Sequence, residues 1–333
     1  MLRQRWAVGV DFGGTNIKYG LVDRRGRVAA SVSLPTSAFA RPKAFIEGTV
    51  RTVERLARSA GVRTTQLCGV GIGAPGPVDM PRGLVHSLVN VPGWRDVPLA
   101  GRLRARLRAP IFVDNDANLV ALGEWRWGAG RSAHNLVCLT LGTGVGGGIV
   151  IGGRLYRGAL GAAGEVGHMV IDAGGPRCGC GRRGCLEALV GTAAILRLGR
   201  GAMSRSSKLR ALVRASHGRL MPRLIGRAAR AGDPAAHQVW VEIGRRLGVG
   251  LANLVNLLNP ERIVIGGGVS NNWTSFAPAM RKTLRAEAMD VPGRTVRVVR
   301  TALGDRAGIL GAAVLVWGNT AAKRAGRGKR EEG

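Results

Sequence analysis

Apolar runs and glycine breaks alternate along this chain with two distinct rhythms. WAVGVDF, NIKYGLVD and VAASVSLP are β-rich segments separated by Gly13-Gly14 and by Asp23-Arg24-Arg25-Gly26, which predicts an antiparallel meander of three strands. Over residues 44–59 the spacing of Phe45, Val53 and Leu56 is helical, and it stops before Gly61, a helix C-terminal signal. A strand at 67–73, a Pro-broken loop, a basic helix near 99–108 and a strand at 111–113 follow. The pattern then starts again. NLVCLTLGTGVGGGIVIGGRLYRG repeats strand, Gly-Thr turn, strand, tight turn, strand, and residues 8–13 (VGVDFG) lie over residues 137–142 (VCLTLG) at an offset of 129. A long helix over 234–258, the strand RIVIGGGV and a helix-prone segment at 303–317 complete the reading. Two such meanders imply two related α/β domains facing each other across a cleft.

Composition narrows the class. Hydrophobic residues make up 45% of 333, enough for two cores, but only 4% are aromatic, so Ala, Val, Leu and Ile must fill them. The formal charge of +30 invites a polyanion partner. Only six of the 50 basic residues are Lys, however, and Arg is spread over the whole chain, as a compositional preference for Arg would spread it. No specific nucleic-acid partner is expected. The longest uncharged run, 136–153, contains seven Gly and reads as two strands around a turn, so no membrane span is expected. With no secretory pattern at the start, the chain reads as cytoplasmic, a setting in which clustered Cys suggest a metal before a disulfide.

Three strand-to-glycine turns, at Gly13-Gly14-Thr15, Gly142-Thr143-Gly144 and Gly266-Gly267-Gly268, leave backbone N–H groups free for phosphate oxygens. Two GxGxxG matches, at Gly71 and Gly142, run into Pro77 and into a β-rich segment, so neither opens the helix that dinucleotide binding requires. Asp11, a carboxylate inside an apolar strand two positions before Gly13, calls for a partner. Next to a phosphate cradle Mg²⁺ is the natural one.

DFGGTNIK, GIGAPGPVD, DNDAN, LGTGVGGGIVIGGRLYRGALGAAGEVGH and CGCGRRGCLEA, in this order over roughly residues 8–317, resemble the ROK (repressor, ORF, kinase) family. The resemblance implies the actin-like ATPase fold, with two ribonuclease-H-like domains closing on a sugar and ATP. The domains would be residues 1–118, completed by a helix at about 304–320, and residues 119–303, followed by a flexible basic tail at 321–333. It also implies ATP-dependent phosphorylation of a hexose 6-hydroxyl, most simply glucose. An N-acylhexosamine kinase, a fructose kinase and a sugar-responsive regulator are the alternatives.

Phosphoryl transfer to an alcohol needs a carboxylate to take the proton. FVDNDAN offers Asp114 and Asp116, which strand alternation places on the same side. The family pattern selects Asp116 as base, with Asn115 on the sugar, and Asn90 stands where related sugar kinases have an Asn; Gly76, in the loop at 74–77, is expected to bring backbone close to the sugar. A helix is expected to begin near Leu119. Gly13, Gly14, Thr15, Asn16 and Lys18, with Gly142, Thr143, Gly144, Gly146 and Gly147, would cradle the phosphates. Gly267 and Gly268 would lie against the adenosine. Cys178-x-Cys180-x₄-Cys185 with His168 upstream gives three thiolates and an imidazole, a closed structural Zn²⁺ site. Such a clip would set Glu165 and Glu187 in one wall, and the family assigns sugar contacts to Glu165, His168 and Glu187. Cys68 and Cys138 fall in apolar strands and are expected in the core. Inorganic polyphosphate as an alternative donor, and a homodimer or homotetramer, complete the expected partners.

Overall fold

The computed structural model describes residues 6–39, 41–88, 91 and 93–331, the last eleven by backbone alone. The first meander is β1 (Trp6–Phe12), β2 (Asn16–Asp23) and β3 (Val28–Pro35). After α1 (Pro42–Ser59), β4 (Gly69–Ala74) pairs in parallel with β1. A small antiparallel sheet of β5 (Val78–Asp79), β6 (Leu84–Ser87) and β7 (Arg95–Val97) and the helix α2 (Leu99–Leu107) precede β8 (Ile111–Asn115), parallel to β4. The first sheet therefore runs β3-β2-β1-β4-β8.

Helix α3 (Asp116–Trp127) leads to the second meander, β9 (Leu136–Leu141), β10 (Val145–Ile151) and β11 (Arg154–Tyr156). A helical block follows: α4 (Leu186–Val190), α5 (Thr192–Met203), α6 (Ser207–Arg214), α7 (Pro222–Arg230) and α8 (Pro234–Leu258). Then come β12 (Arg262–Gly266), α9 (Trp273–Glu287), α10 (Asp290–Thr295), β13 (Arg297–Arg300) and α11 (Ala307–Glu331). The second sheet runs β11-β10-β9-β12-β13, the same topology as the first. Two cores result. One is built on β1, β4 and β8 around Phe12, Phe45 and Trp94, the other on β9 and β12 around Trp240 and Phe276. Cys68 and Cys138 are buried.

Helix α11 returns to the first sheet, lying on β1 and β4, and crosses α3. That approach has a sequence cause. A Cβ on Gly9 or Gly71 would overlap the carbonyls of Ile309 or Ala312, and one on Gly311 would overlap the carbonyl of Leu119. At the far end of α3 the fully buried Glu124 accepts N–H groups from Ala129 (2.8 Å), Ala302 (3.2 Å) and Leu303 (2.9 Å) and the hydroxyl of Thr301.

One expectation is corrected. Alternation does not carry through 114–116, because β8 ends at Asn115 and α3 begins at Asp116, before Leu119. The 321–331 stretch, expected as a flexible basic tail, is described as a continuation of α11. Among the described residues no helix is long and apolar enough to cross a membrane.

Gly311→Ala is expected to lower stability by about 1–3 kcal/mol, since backbone must move to admit the methyl. Gly318→Ala on the same helix, with open space around it, is expected to leave stability unchanged or raised. Thermal unfolding midpoints of the two variants check the pair.

Candidate active site

Strands β1, β4 and β8 run parallel and end at Phe12, Ala74 and Asn115. Strands β9, β12 and β13 do the same in the second sheet, ending at Leu141, Gly266 and Arg300. Ligands in open α/β sheets bind beyond such strand ends. Two cavities lie there.

The first, about 390 Å³, is lined by Gly76, Asp79, His86, Asn115, Asp116, Asn118, Gly146, Gly147 and the stretch from Leu160 to Glu165, among others. Asn115 caps α3, its Oδ1 accepting the N–H of Ala117 (2.9 Å) and Asn118 (3.3 Å), and its Nδ2 donates to the Gly76 carbonyl (3.2 Å). This fixes the next residue, Asp116, at the helix start facing the cavity. Burial lifts the Asp116 carboxyl to about 7, with the Asp11 and Glu165 carboxylates adding to the rise and the Ala117 N–H opposing it. Asp114 is unavailable for the same work. It is buried and accepts from Asn115, Asn118 and the Arg157 guanidinium. Asn90 lies outside the described residues.

The second cavity, about 280 Å³, is lined by Asp11, Lys18, Gly267, Gly268, Thr301, Asp305 and Gly308, with others. Burial raises the Asp11 carboxyl, Lys18 pulls it back, and Asp305 raises it again. Lys18 Nζ lies 3.3 Å from Asp305 Oδ1. Gly13, Gly14, Thr15 and Asn16 form the exposed β1–β2 turn, closed by Gly13 N–H to the Asn16 carbonyl (3.1 Å). The Gly142-Thr143-Gly144 turn is held by Thr192, whose N–H (3.0 Å) and hydroxyl (2.8 Å) both reach the Gly142 carbonyl. Neither turn is in the lining of the second cavity; Gly267 and Gly268 are.

Beside the first cavity, single donor atoms of His168, Cys178, Cys180 and Cys185 lie within 4.8 Å of one another. Cys178 Sγ to His168 Nδ1 and Cys180 Sγ to Cys185 Sγ are both 3.7 Å. A tetrahedron with Zn–S bonds of about 2.3 Å has edges of about 3.8 Å, so the set fits a four-coordinate metal ion. Burial pushes the Cys178 and Cys185 thiols up while the Arg182 N–H draws Cys180 down to about 6, so Cys180 is the readiest thiolate of the three. Gly184 (φ +67°) permits the turn, since a Cβ there would overlap the Asp172 carbonyl. His168 Nε2 then faces Glu165 Oε2 at 3.9 Å, and Glu165 lines the cavity. Glu187 is directed elsewhere. Its carboxylate accepts the Val145 N–H (3.0 Å) and lies 3.6 Å from Cys178 Sγ, so it braces the glycine turn against the metal loop.

The family model described as "ROK family" matches residues 7–319. This chain belongs to the ROK family. It is 38% identical to a glucokinase of Halalkalibacterium halodurans, over 95% of this chain and 96% of the relative. It is 36% identical to a glucokinase of Streptomyces coelicolor, over 92% and 96%. Among solved structures, a ROK family glucokinase from Streptomyces griseus in complex with glucose and AMPPNP superposes with a TM-score of 0.81 at 36% identity, covering 93% of this chain and 98% of that one. The two sheets of this ROK protein carry the actin-like fold expected for the family.

Sequence reasoning missed Asp79 and His86, which the small sheet brings to the first cavity, and Thr301 and Asp305 at the second. The β-rich VHS segment was a usable signal for the small sheet; nothing local marks Thr301. Carboxyl ¹³C NMR of the free protein is expected to show Asp116 titrating at about 7. Asp11→Asn removes a like charge and is expected to bring that midpoint down; an unchanged midpoint would rule out coupling between the two carboxylates.

Proposed function

We propose that this ROK protein transfers the γ-phosphoryl group of Mg-ATP to the 6-hydroxyl of glucose, giving glucose 6-phosphate and ADP. The observation that carries the reading is Asp116, held at a helix start in the first cavity with its carboxyl raised to about 7. A carboxyl at that value is mostly ionised in slightly alkaline solution, yet basic enough to accept a hydroxyl proton. Asn115 and Glu165 line the same cavity and offer hydrogen bonds to sugar hydroxyls, and His168 stands behind Glu165. The second cavity takes the nucleotide. Its Gly267 and Gly268 admit a flat base and ribose closely, and Asp11 and Lys18 stand where phosphates and their cation would lie.

Phosphoryl transfer asks for position and charge more than covalent chemistry. Asp116 removes the proton as the hydroxyl oxygen attacks the γ-phosphorus, and the bond to the β-phosphate oxygen breaks. Asp11 would hold Mg²⁺, which neutralises charge on the phosphates when bound. The cation also suits Asp11 itself, a buried carboxylate that burial alone would push toward protonation. Zn²⁺ would be held by His168, Cys178, Cys180 and Cys185. With four protein ligands it has no open position for a reactive water, so its role is to lock the loop that presents Glu165. ATP is the donor favoured here over inorganic polyphosphate, and closure of the two halves would exclude water from the transfer. We propose, too, that the halves are residues 1–118 with α11 and residues 119–303.

Coupled ADP release with Mg-ATP and a panel of glucose, mannose, fructose, N-acetylglucosamine and N-acetylmannosamine is expected to show glucose as the best acceptor. An N-acyl sugar in first place would keep the reaction and replace the substrate. Asp116→Asn is expected to cut kcat by about 10²–10⁴. Activity is expected to rise through about pH 7, because Asp116 works only after losing its proton. Its fold-raised pKa means that ionisation costs stability as pH rises, so at pH 8 the Asn variant is expected to be at least as stable as wild type. Metal analysis is expected to give about one zinc per chain, and chelation to lower the unfolding midpoint; zinc-free, fully stable protein would exclude a structural zinc.

A further inference from the structure

Asp114 is a buried charge for which the proposed transfer has no use. Its Oδ1 accepts the Asn115 N–H (2.8 Å) and Asn118 Nδ2 (3.0 Å), and its Oδ2 accepts Arg157 Nε (2.9 Å) and Nη2 (2.7 Å). The side chains are 3% and 24% exposed. A carboxylate so enclosed is tolerable only while its cation and hydrogen bonds stay in place.

The two partners belong to different sheets. Asp114 lies near the end of β8, two residues before Asp116, whereas Arg157 immediately follows β11. Arg157 also acts through its backbone: its carbonyl accepts the Ala163 N–H at 2.9 Å and so closes the loop between them. Gly161, Ala162, Ala163 and Gly164 of that loop line the first cavity, and Glu165 comes next. One residue therefore grips the end of β8, just before Asp116, with its side chain, and the acceptor-side loop with its main chain.

We propose that Arg157 is a positioning residue that registers the 158–165 loop against the end of β8, from which α3 presents Asp116, and so sets the apparent affinity for the sugar. This rests on the first cavity being the sugar site. The planar fork matters as well as the charge, because both Nε and Nη2 reach one oxygen, an arrangement a lysine ammonium cannot reproduce.

The test compares wild type, Arg157→Lys, Arg157→Met and the double variant Asp114→Asn/Arg157→Met, varying glucose and Mg-ATP separately and following amide hydrogen exchange over residues 158–165. Misplacement on the 1 Å scale predicts a glucose KM raised about 10–100-fold in Arg157→Met, with the ATP KM changed by less than about twofold. Arg157→Lys recovers only part of that loss. The double variant leaves no unpaired charge, so it folds while keeping the raised glucose KM and faster loop exchange. Merely structural damage would lower active enzyme and kcat and spare the KM for sugar. An unaltered glucose KM, or equal rises in both KM values, overturns the proposal. Wild type inactive on every hexose would sink the kinase reading by itself; loop exchange would still decide for or against Arg157, wild-type rates in Arg157→Met counting against it.

Discussion

The carbonyls of Ile309 and Ala312 rest where side chains on Gly9 and Gly71 would be, and the carbonyl of Leu119 rests where one on Gly311 would be. These backbone approaches let α11 lie flat on β1 and β4 while it crosses α3, and both cavities depend on them. The first turn of α11 brings Gly308 beside Asp11, and the segment before it supplies Thr301, Ala302 and Asp305 to the second cavity. Helix α3 spans the distance between the two sites. Its first residue is Asp116, and its Glu124 gathers the N–H groups of Ala302 and Leu303. A 12-residue helix of about 18 Å thus carries Asp116, the proposed base, at one end and anchors the second cavity's wall at the other.

Charge at the site runs against charge on the chain. The net +30 does not neutralise Asp11 and Asp116, both of which are raised, with burial as the largest cause. Surface arginines act through solvent and are screened within about 8 Å at physiological salt, whereas desolvation acts on the carboxyl itself. Asp114 has the opposite arrangement, a buried carboxylate with a guanidinium against it. Two acidic residues separated by one position therefore serve different ends. Asp114 is spent on a link between sheets, and Asp116 keeps its basicity for a ligand.

Local pattern revealed the parts of the fold that local pattern determines. Both meanders were legible because alternation and glycine turns act between adjacent segments, and the offset of 129 placed one over the other. Pairing of β1 with β4 and of β4 with β8 joins strands separated by a helix or more, and nothing in either strand names its partner. The Ala-, Arg- and Gly-rich stretch that forms α5 to α7 was not divided into helices from sequence. The ligand spacing of the metal loop was plain, since His168, Cys178, Cys180 and Cys185 lie close along the chain. The direction of Glu187 was not. Two residues from Cys185, it turns to the Val145 N–H, because α4 begins at Leu186 and points its side chain under the glycine turn.

The duplicated topology explains why one chain holds two different cavities. In each half the fifth strand of the sheet is followed by a helix, α3 after β8 and α11 after β13, and these two helices are the pair that cross. Each presents its N-terminal end to the cleft, the electropositive end of a helix. At the start of α11 that end faces Lys18 together with the carboxylates of Asp11 and Asp305, with none on the helix's own first turn. At the start of α3 the first residue is itself an aspartate. The macrodipole favours its ionised form by about 0.3–1 kcal/mol, yet the carboxyl is raised to about 7. Desolvation has won there by a wide margin. A helix start that would ordinarily hold an anion holds a group able to take up a proton, so the same architectural position differs between the halves: Gly308 against the Asp11 carboxylate in α11, a raised carboxyl of its own in α3.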